Sequence, residues 1–166
     1  MDAVISKTRA VARGVKAALD GYVGVWRTLV EDHARVASLI EAVQRDPTKR
    51  AGLWPRIRAE LLAHERAELR DVYPVLRNYD ATKHWAEQHE IEARELEERI
   101  DRLDATPVEE DVWGELFDEL ARTISVHVRE EETEIFPLAS SAIGPTRSKS
   151  IGDSYDATRK RFAASV

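Results

Sequence analysis

Four of the five histidines in this 166-residue chain, His33, His64, His89 and His127, fall on four separate apolar stripes. Two of them are followed four residues later by a glutamate, His64 by Glu68 and His127 by Glu131. Four residues turn a helix through about 400°, so each pair lies within about 40° on one face, one turn apart. A buried carboxylate without a partner must shift its pKa strongly or find a cation. A metal ion supplies that cation, and mixed imidazole and carboxylate donors suit iron, manganese or zinc. Four histidines and two glutamates exceed an ordinary single-metal site and suit two metals bridged by carboxylates.

The pairs belong to a longer internal echo. Residues 64–74 read His-Glu-Arg-Ala-Glu-Leu-Arg-Asp-Val-Tyr-Pro, and residues 127–137 read His-Val-Arg-Glu-Glu-Glu-Thr-Glu-Ile-Phe-Pro. Both follow His-x3-Glu-x4-aromatic-Pro. A single His-x3-Glu is common on solvated helix faces; two copies on core stripes with matched ends are far more specific.

Four segments with apolar residues at every third or fourth position must position these groups. The first runs from Gly21 to Arg45, with Trp26, Leu29, His33, Val36, Ile40 and Val43 on its stripe. The second is expected to begin near Trp54-Pro55, with proline in the first turn, and carries Ile57, Leu61, His64, Glu68, Val72 and Val75. Pro74 should kink or end it. The third is expected from an N-cap at Asp80, with Trp85, His89, Glu92, Leu96, Ile100 and Leu103 on one face. Thr106-Pro107-Val108-Glu109 reads as a capping box opening the fourth, which places Trp113, Phe117, Leu120, Ile124, His127, Glu131 and Leu138 on one side before Gly144-Pro145 closes it. Short connections imply antiparallel neighbours. The expected fold is therefore all-α, an up-down-up-down antiparallel four-helix bundle over residues 21–144 with a metal site in its core. Residues 1–20 form an N-terminal arm or helix outside it. Residues 145–166 read as a polar, frayed C-terminal tail, with room for a short helix from Asp153 to Ala164.

Composition narrows the function classes. A chain with no cysteine holds no disulfide, thiolate metal site, iron–sulfur cluster or cysteine nucleophile. A net charge of −6 argues against a nucleic-acid binder. No run approaches the roughly 20 apolar residues that span a bilayer, and Lys7, Arg9 and Arg13 interrupt the N-terminal apolar residues. A soluble, cytoplasmic protein is the expectation.

Over roughly residues 22–140 the chain resembles the hemerythrin-like (HHE) cation-binding domains, whose helices supply a lone His, a His-x3-Glu, a further His, and a His followed by an acidic residue. The resemblance implies a non-haem pair of iron ions with an oxo or hydroxo bridge and an open position for dioxygen. His33, His64, His89 and His127 would be terminal ligands, and Glu68 and Glu131 the bridging carboxylates. The chain departs from the oxygen carriers in three ways. Their third helix places two histidines one turn apart, whereas His84 and His89 are five apart, about 140° around a regular helix. Only His89 lies on the stripe. The carriers take their last carboxylate five residues after the final histidine, which would be Glu132; the stripe favours Glu131. Glu65 directly follows His64, as in the hemerythrin-like domain of an iron-sensing F-box protein, and either it or Glu92 could replace the missing histidine.

A site poorer in histidine and richer in carboxylate leans toward iron sensing, peroxide or nitric-oxide chemistry, or oxidase-like turnover. The reading is a di-iron protein that binds or senses dioxygen, nitric oxide, peroxide or iron without being a dedicated enzyme. A di-iron oxidase, peroxidase-type or iron-handling enzyme is the alternative, and a catalase-like activity stays open. The ferritin type needs Glu-x-x-His on two helices, and no histidine here has glutamate three residues before it. A metal-free interaction module, docking a partner or a second copy through its charged termini, would have to satisfy the inward histidines and glutamates by one another. Tyr73 and Phe136, beside the paired prolines, are expected to pack where the second and fourth helices end, or, for Tyr73, to donate to a ligand carboxylate.

Overall fold

The computed structural model describes residues 21–165, so the expected N-terminal arm over residues 1–20 lies outside the described residues. Gly24, at φ +59°, sets the backbone that opens α1 (Val25–Arg45). Asp46 Oδ1 accepts from the Thr48 amide at 3.2 Å and caps a 3-10 turn (Pro47–Lys49). This turn feeds straight into α2 (Arg50–Ala67), so the second helix starts at Arg50, earlier than expected, and Pro55 sits inside it.

α2 does not end at Pro74. It widens into a π turn (Glu68–Val72) and continues as α3 (Tyr73–Leu76). A proline inside a regular helix clashes with the carbonyl four residues back and leaves it without a donor. In the π turn the Tyr73 amide instead bonds the Glu68 carbonyl, five residues back. The same solution appears at the second copy of the echo. There α5 (Asp111–Glu130) widens into a π turn (Glu131–Ile135) and continues as α6 (Phe136–Ile143), with the Phe136 amide on the Glu131 carbonyl. The extra residue turns every later side chain by about 100°. That is why Leu138, expected on the inner side, is 44% exposed, while Ile135, Phe136 and Ala139 are buried.

Two helix starts differ from expectation. α4 (Lys83–Asp104) follows a turn in which buried Thr82 Oγ1 donates to Leu76 O at 2.8 Å, so Asp80 is not its cap. α5 begins at Asp111 without a side-chain cap, because Thr106 Oγ1 donates back to Arg102 O and closes α4.

The expected polar tail is a helix, α7 (Pro145–Ala163), whose most extensive packing is against α2, with further contact to α1. Its buried side is Ser148, Ile151, Gly152, Tyr155 and Thr158. Backbones meet closely here: a Cβ on Gly24 would come within 2.4 Å of the Ser148 carbonyl carbon, and one on Gly152 would sit 3.0 Å from Val25 N. Ser148 Oγ donates to Val23 O at 2.8 Å. Burying Ile151 and Tyr155 contributes roughly 1.5–3 kcal/mol each, enough to seat a helix with a mostly polar exterior.

The described residues thus form an all-helical bundle with no strand. No helix among them is long and apolar enough to cross a membrane. Its apolar interior falls into two clusters. One gathers Trp26, Leu29, Val72, Tyr73, Phe136 and Tyr155; the other gathers Val36, Ile40, Trp54, Ile57, Ile100, Trp113, Phe117 and Leu120. Between them lies a polar layer.

Candidate metal centre

Four of the five long helices contribute to that layer. α1 supplies His33, α2 supplies His64 and Glu65, α4 supplies His89 and α5 supplies His127; Glu68 and Glu131 are the first residues of the two π turns. All are buried except His127, whose side chain is 15% exposed. The six residues singled out by spacing therefore share one layer, and Glu65 joins them.

The donor atoms form two groups, each within 4.8 Å: His33, His64 and Glu131, and Glu65, Glu68, His89 and His127. The two glutamates of the echo tie the groups together. Glu131 Oε2 lies 3.2 Å from His33 Nε2 and 3.5 Å from His127 Nε2. Glu68 Oε2 lies 3.3 Å from His64 Nε2 and 3.8 Å from His89 Nε2. Glu65 reaches His89 Nε2 through Oε2 and His127 Nε2 through Oε1, both at 3.5 Å.

Among the described residues, most of these atoms have no hydrogen-bond partner. The buried Nε2 atoms of all four histidines, both oxygens of Glu68, and Oε2 of Glu65 and of Glu131 are unsatisfied. Buried polar atoms are seldom left so, and here they converge. Two ligands about 2.1 Å from one metal, at 100–110° to each other, stand about 3.2–3.4 Å apart. The observed separations fit donors arranged around cations.

The opposite edges of three of the rings are held. His33 Nδ1 faces Glu132 Oε1 at 3.0 Å, and His127 Nδ1 faces Glu92 Oε2 at 3.2 Å. His64 Nδ1 lies 2.8 Å from the Tyr155 hydroxyl, which donates to Asp32 Oδ2 at 2.8 Å. Tyr73 donates to Glu131 Oε1 at 2.5 Å, and its ring stacks on His89 with centroids 3.6 Å apart. Such outer contacts fix ring orientation and tautomer at metal sites. Glu92 and Glu132 thus sit outside the layer, on ring nitrogens. His84 is exposed near the start of α4, in neither donor group.

In the protein without metal, protons take the place of cations. Burial alone would lower the His33 pKa, but Glu131 and Glu132 raise it to about 9. Burial likewise opposes the charge on His127, yet Glu131, Glu92 and Glu65 raise it to about 10. Burial, reinforced by Glu131, Glu65 and Asp32, pushes Glu68 well above the usual carboxylate range. Burial works to raise Glu131, but His127 and His33 hold it low. His89 is lowered by burial and so favours the neutral imidazole a metal requires.

A cavity of about 380 Å³ opens on the layer between α1, α2, α4 and α5, touching His33, His64, Glu65 and His127. Val36, Leu61, Leu96, Ile124 and Val128 wall it, with Glu95, Arg122 and Glu130 also on its lining.

The sequence reading did not include Asp32, Tyr155 or Arg159. Asp32 is 2% exposed and pairs with Arg35 Nη1 at 2.7 Å and Arg159 Nε at 2.9 Å. Its position beside His33 was the one available signal. A family model described as the hemerythrin HHE cation-binding domain matches residues 25–139. No curated protein and no solved structure matches the chain.

Proposed function

The chain belongs to the hemerythrin HHE cation-binding domain family, and on that basis we propose that its buried layer holds two iron ions and exposes them to a small ligand. The observation that carries this reading is the convergence of the four unpartnered histidine Nε2 atoms with the free oxygens of Glu68 and Glu131. His33 and His64 serve one iron, and His89, His127 and Glu65 the other. Glu68 and Glu131 would be shared between them, since each carboxylate approaches a histidine of both groups. The supporting scaffold is an up-down-up-down bundle over residues 21–144, with α7 packed against it.

When bound, the iron pair supplies an open coordination position and two exchangeable electrons. The chain does the rest. Tyr73 keeps one oxygen of Glu131 engaged and leaves the other free toward the layer, where it would hold metal. Glu132 and Glu92 orient His33 and His127. The cavity, walled in part by Val36, Leu61, Leu96, Ile124 and Val128, would admit dioxygen, nitric oxide or peroxide to the layer. Glu65, a carboxylate among the donors, supports a second reading as an oxidase- or peroxidase-type enzyme.

Metal analysis of the purified protein, with its absorption spectrum before and after dithionite and air, tests the proposal. About two irons per chain with a near-ultraviolet band that bleaches on reduction is the expected result. A protein that carries no metal and takes up none on anaerobic addition of ferrous iron overturns it.

A further inference from the structure

α7 lies wholly beyond the matched residues 25–139, yet it reaches the metal layer through one side chain. Tyr155 is fully buried, and its hydroxyl sits between Asp32 Oδ2 and His64 Nδ1, 2.8 Å from each. A phenol has one proton to give. Two guanidiniums within 3 Å, those of Arg35 and Arg159, keep Asp32 an acceptor. The phenol proton therefore points to Asp32, and the phenol oxygen can only accept from His64. That places the ring proton of neutral His64 on Nδ1 and leaves Nε2 bare toward the layer, where it has no other partner.

The other ring nitrogens are served differently. His33 and His127 each face a carboxylate directly through Nδ1, Glu132 from the second π turn and Glu92 from α4. His89 Nδ1 has no hydrogen-bond partner, its ring lying flat on Tyr73. Only the group of His33, His64 and Glu131 draws on α7 through this chain of hydrogen bonds.

We propose that Tyr155 is a positioning residue that locks His64 in its Nε2-free tautomer, so that one of the two metal positions depends on α7 and the other does not. The inference rests on the metal reading above. It makes the two positions inequivalent by construction: the C-terminal helix sets affinity where His33, His64 and Glu131 meet, and leaves the position of Glu65, Glu68, His89 and His127 to the bundle alone.

The test is anaerobic ferrous iron titration by calorimetry of the full chain, its Tyr155→Phe variant and Ile151→Ala, together with ¹⁵N-histidine NMR of the metal-free proteins. Phenylalanine keeps the ring packing and removes only the hydroxyl. Ile151→Ala loosens the same helix without touching a polar group of the layer. For Tyr155→Phe one iron should bind about 10–100-fold more weakly and the other unchanged. Its His64 ¹⁵N pattern should move from the Nδ1–H form toward a mixture. Ile151→Ala should lower Tm and leave both affinities as they were. Equal loss at both positions, no loss at either, or the same loss in Ile151→Ala overturns the proposal. If Tyr155→Phe does not fold, the NMR of the unaltered protein decides, and a His64 protonated on Nε2 overturns it. A full chain that binds no iron sinks the metal reading itself, whereas binding with an unaffected Tyr155→Phe sinks only the role of Tyr155.

Discussion

Glu68 and Glu131 hold the same place in the two copies of one pattern: each follows a histidine by four residues, each begins a π turn, and neither is exposed. Their electrostatic states nevertheless differ. Burial and the neighbouring carboxylates keep the Glu68 proton on, while His127 and His33 keep the Glu131 proton off. In the metal-free protein Glu68 favours the neutral acid and Glu131 the carboxylate.

Replacing Glu68 should therefore act with opposite signs on the two forms. Glu68→Gln relieves a carboxyl group held away from its ordinary ionisation, so the metal-free protein should melt higher, by about 2–4 °C for each kcal/mol gained. The same variant should lose at least one equivalent of metal and with it the stabilisation that binding contributes. Melting curves with and without iron check both signs. His64→Ala and Glu68→Ala should each abolish at least one bound metal, and full metal content in both would remove that pair from the site.

Stability against pH gives a second test. The folded pKa values of His33 and His127, about 9 and about 10, stand above the unbound value of 6.5. Raised folded pKa values mean that their contribution is whole below 6.5 and is lost as pH rises through 9 to 10. Glu68, also raised, pulls the same way. The metal-free protein should lose stability steadily from pH 6.5 to 9, while metal affinity rises over the same range because binding expels those protons. Tm of the metal-free protein at pH 6 and 9 checks the first half; an unchanged Tm refutes it.

Tyr73→Phe deletes the donor to Glu131 Oε1 and leaves a buried carboxylate oxygen unpaired, a loss of about 1–3 kcal/mol. The stacked ring on His89 is retained. Weaker iron binding and a lower Tm are expected, measured by calorimetry and thermal unfolding.

His84→Ala should change nothing in metal content. The residue is exposed and its ring contact is with Trp85. Loss of one metal in this variant would restore a five-histidine centre.

The layer's four histidines and two glutamates were legible because helical spacing and apolar stripes are local and need no tertiary information. Leu138 failed for a physical reason, since a π turn shifts the helix phase and nothing in the apolar pattern announces it. The paired prolines marked the place but suggested a kink. α7 was read only as room for a short helix from Asp153 to Ala164, because its buried side mixes Ser148, Gly152 and Thr158 with Ile151 and Tyr155 and shows no continuous apolar stripe. The Tyr155–Asp32 partnership was not legible for a different reason: it spans α1 and α7, and only folding brings the two together.

The division of the apolar interior has its own consequence. Seven ionisable groups cross the bundle at one height, and the hydrophobic clusters on either side do not merge through them. Without cations this layer is a seam, the place where amide hydrogens should exchange first and where the two ends can breathe independently. Loaded, the same layer would become a rivet through α1, α2, α4 and α5, and the arrival of metal at mid-height would be felt at both ends as a single change in rigidity.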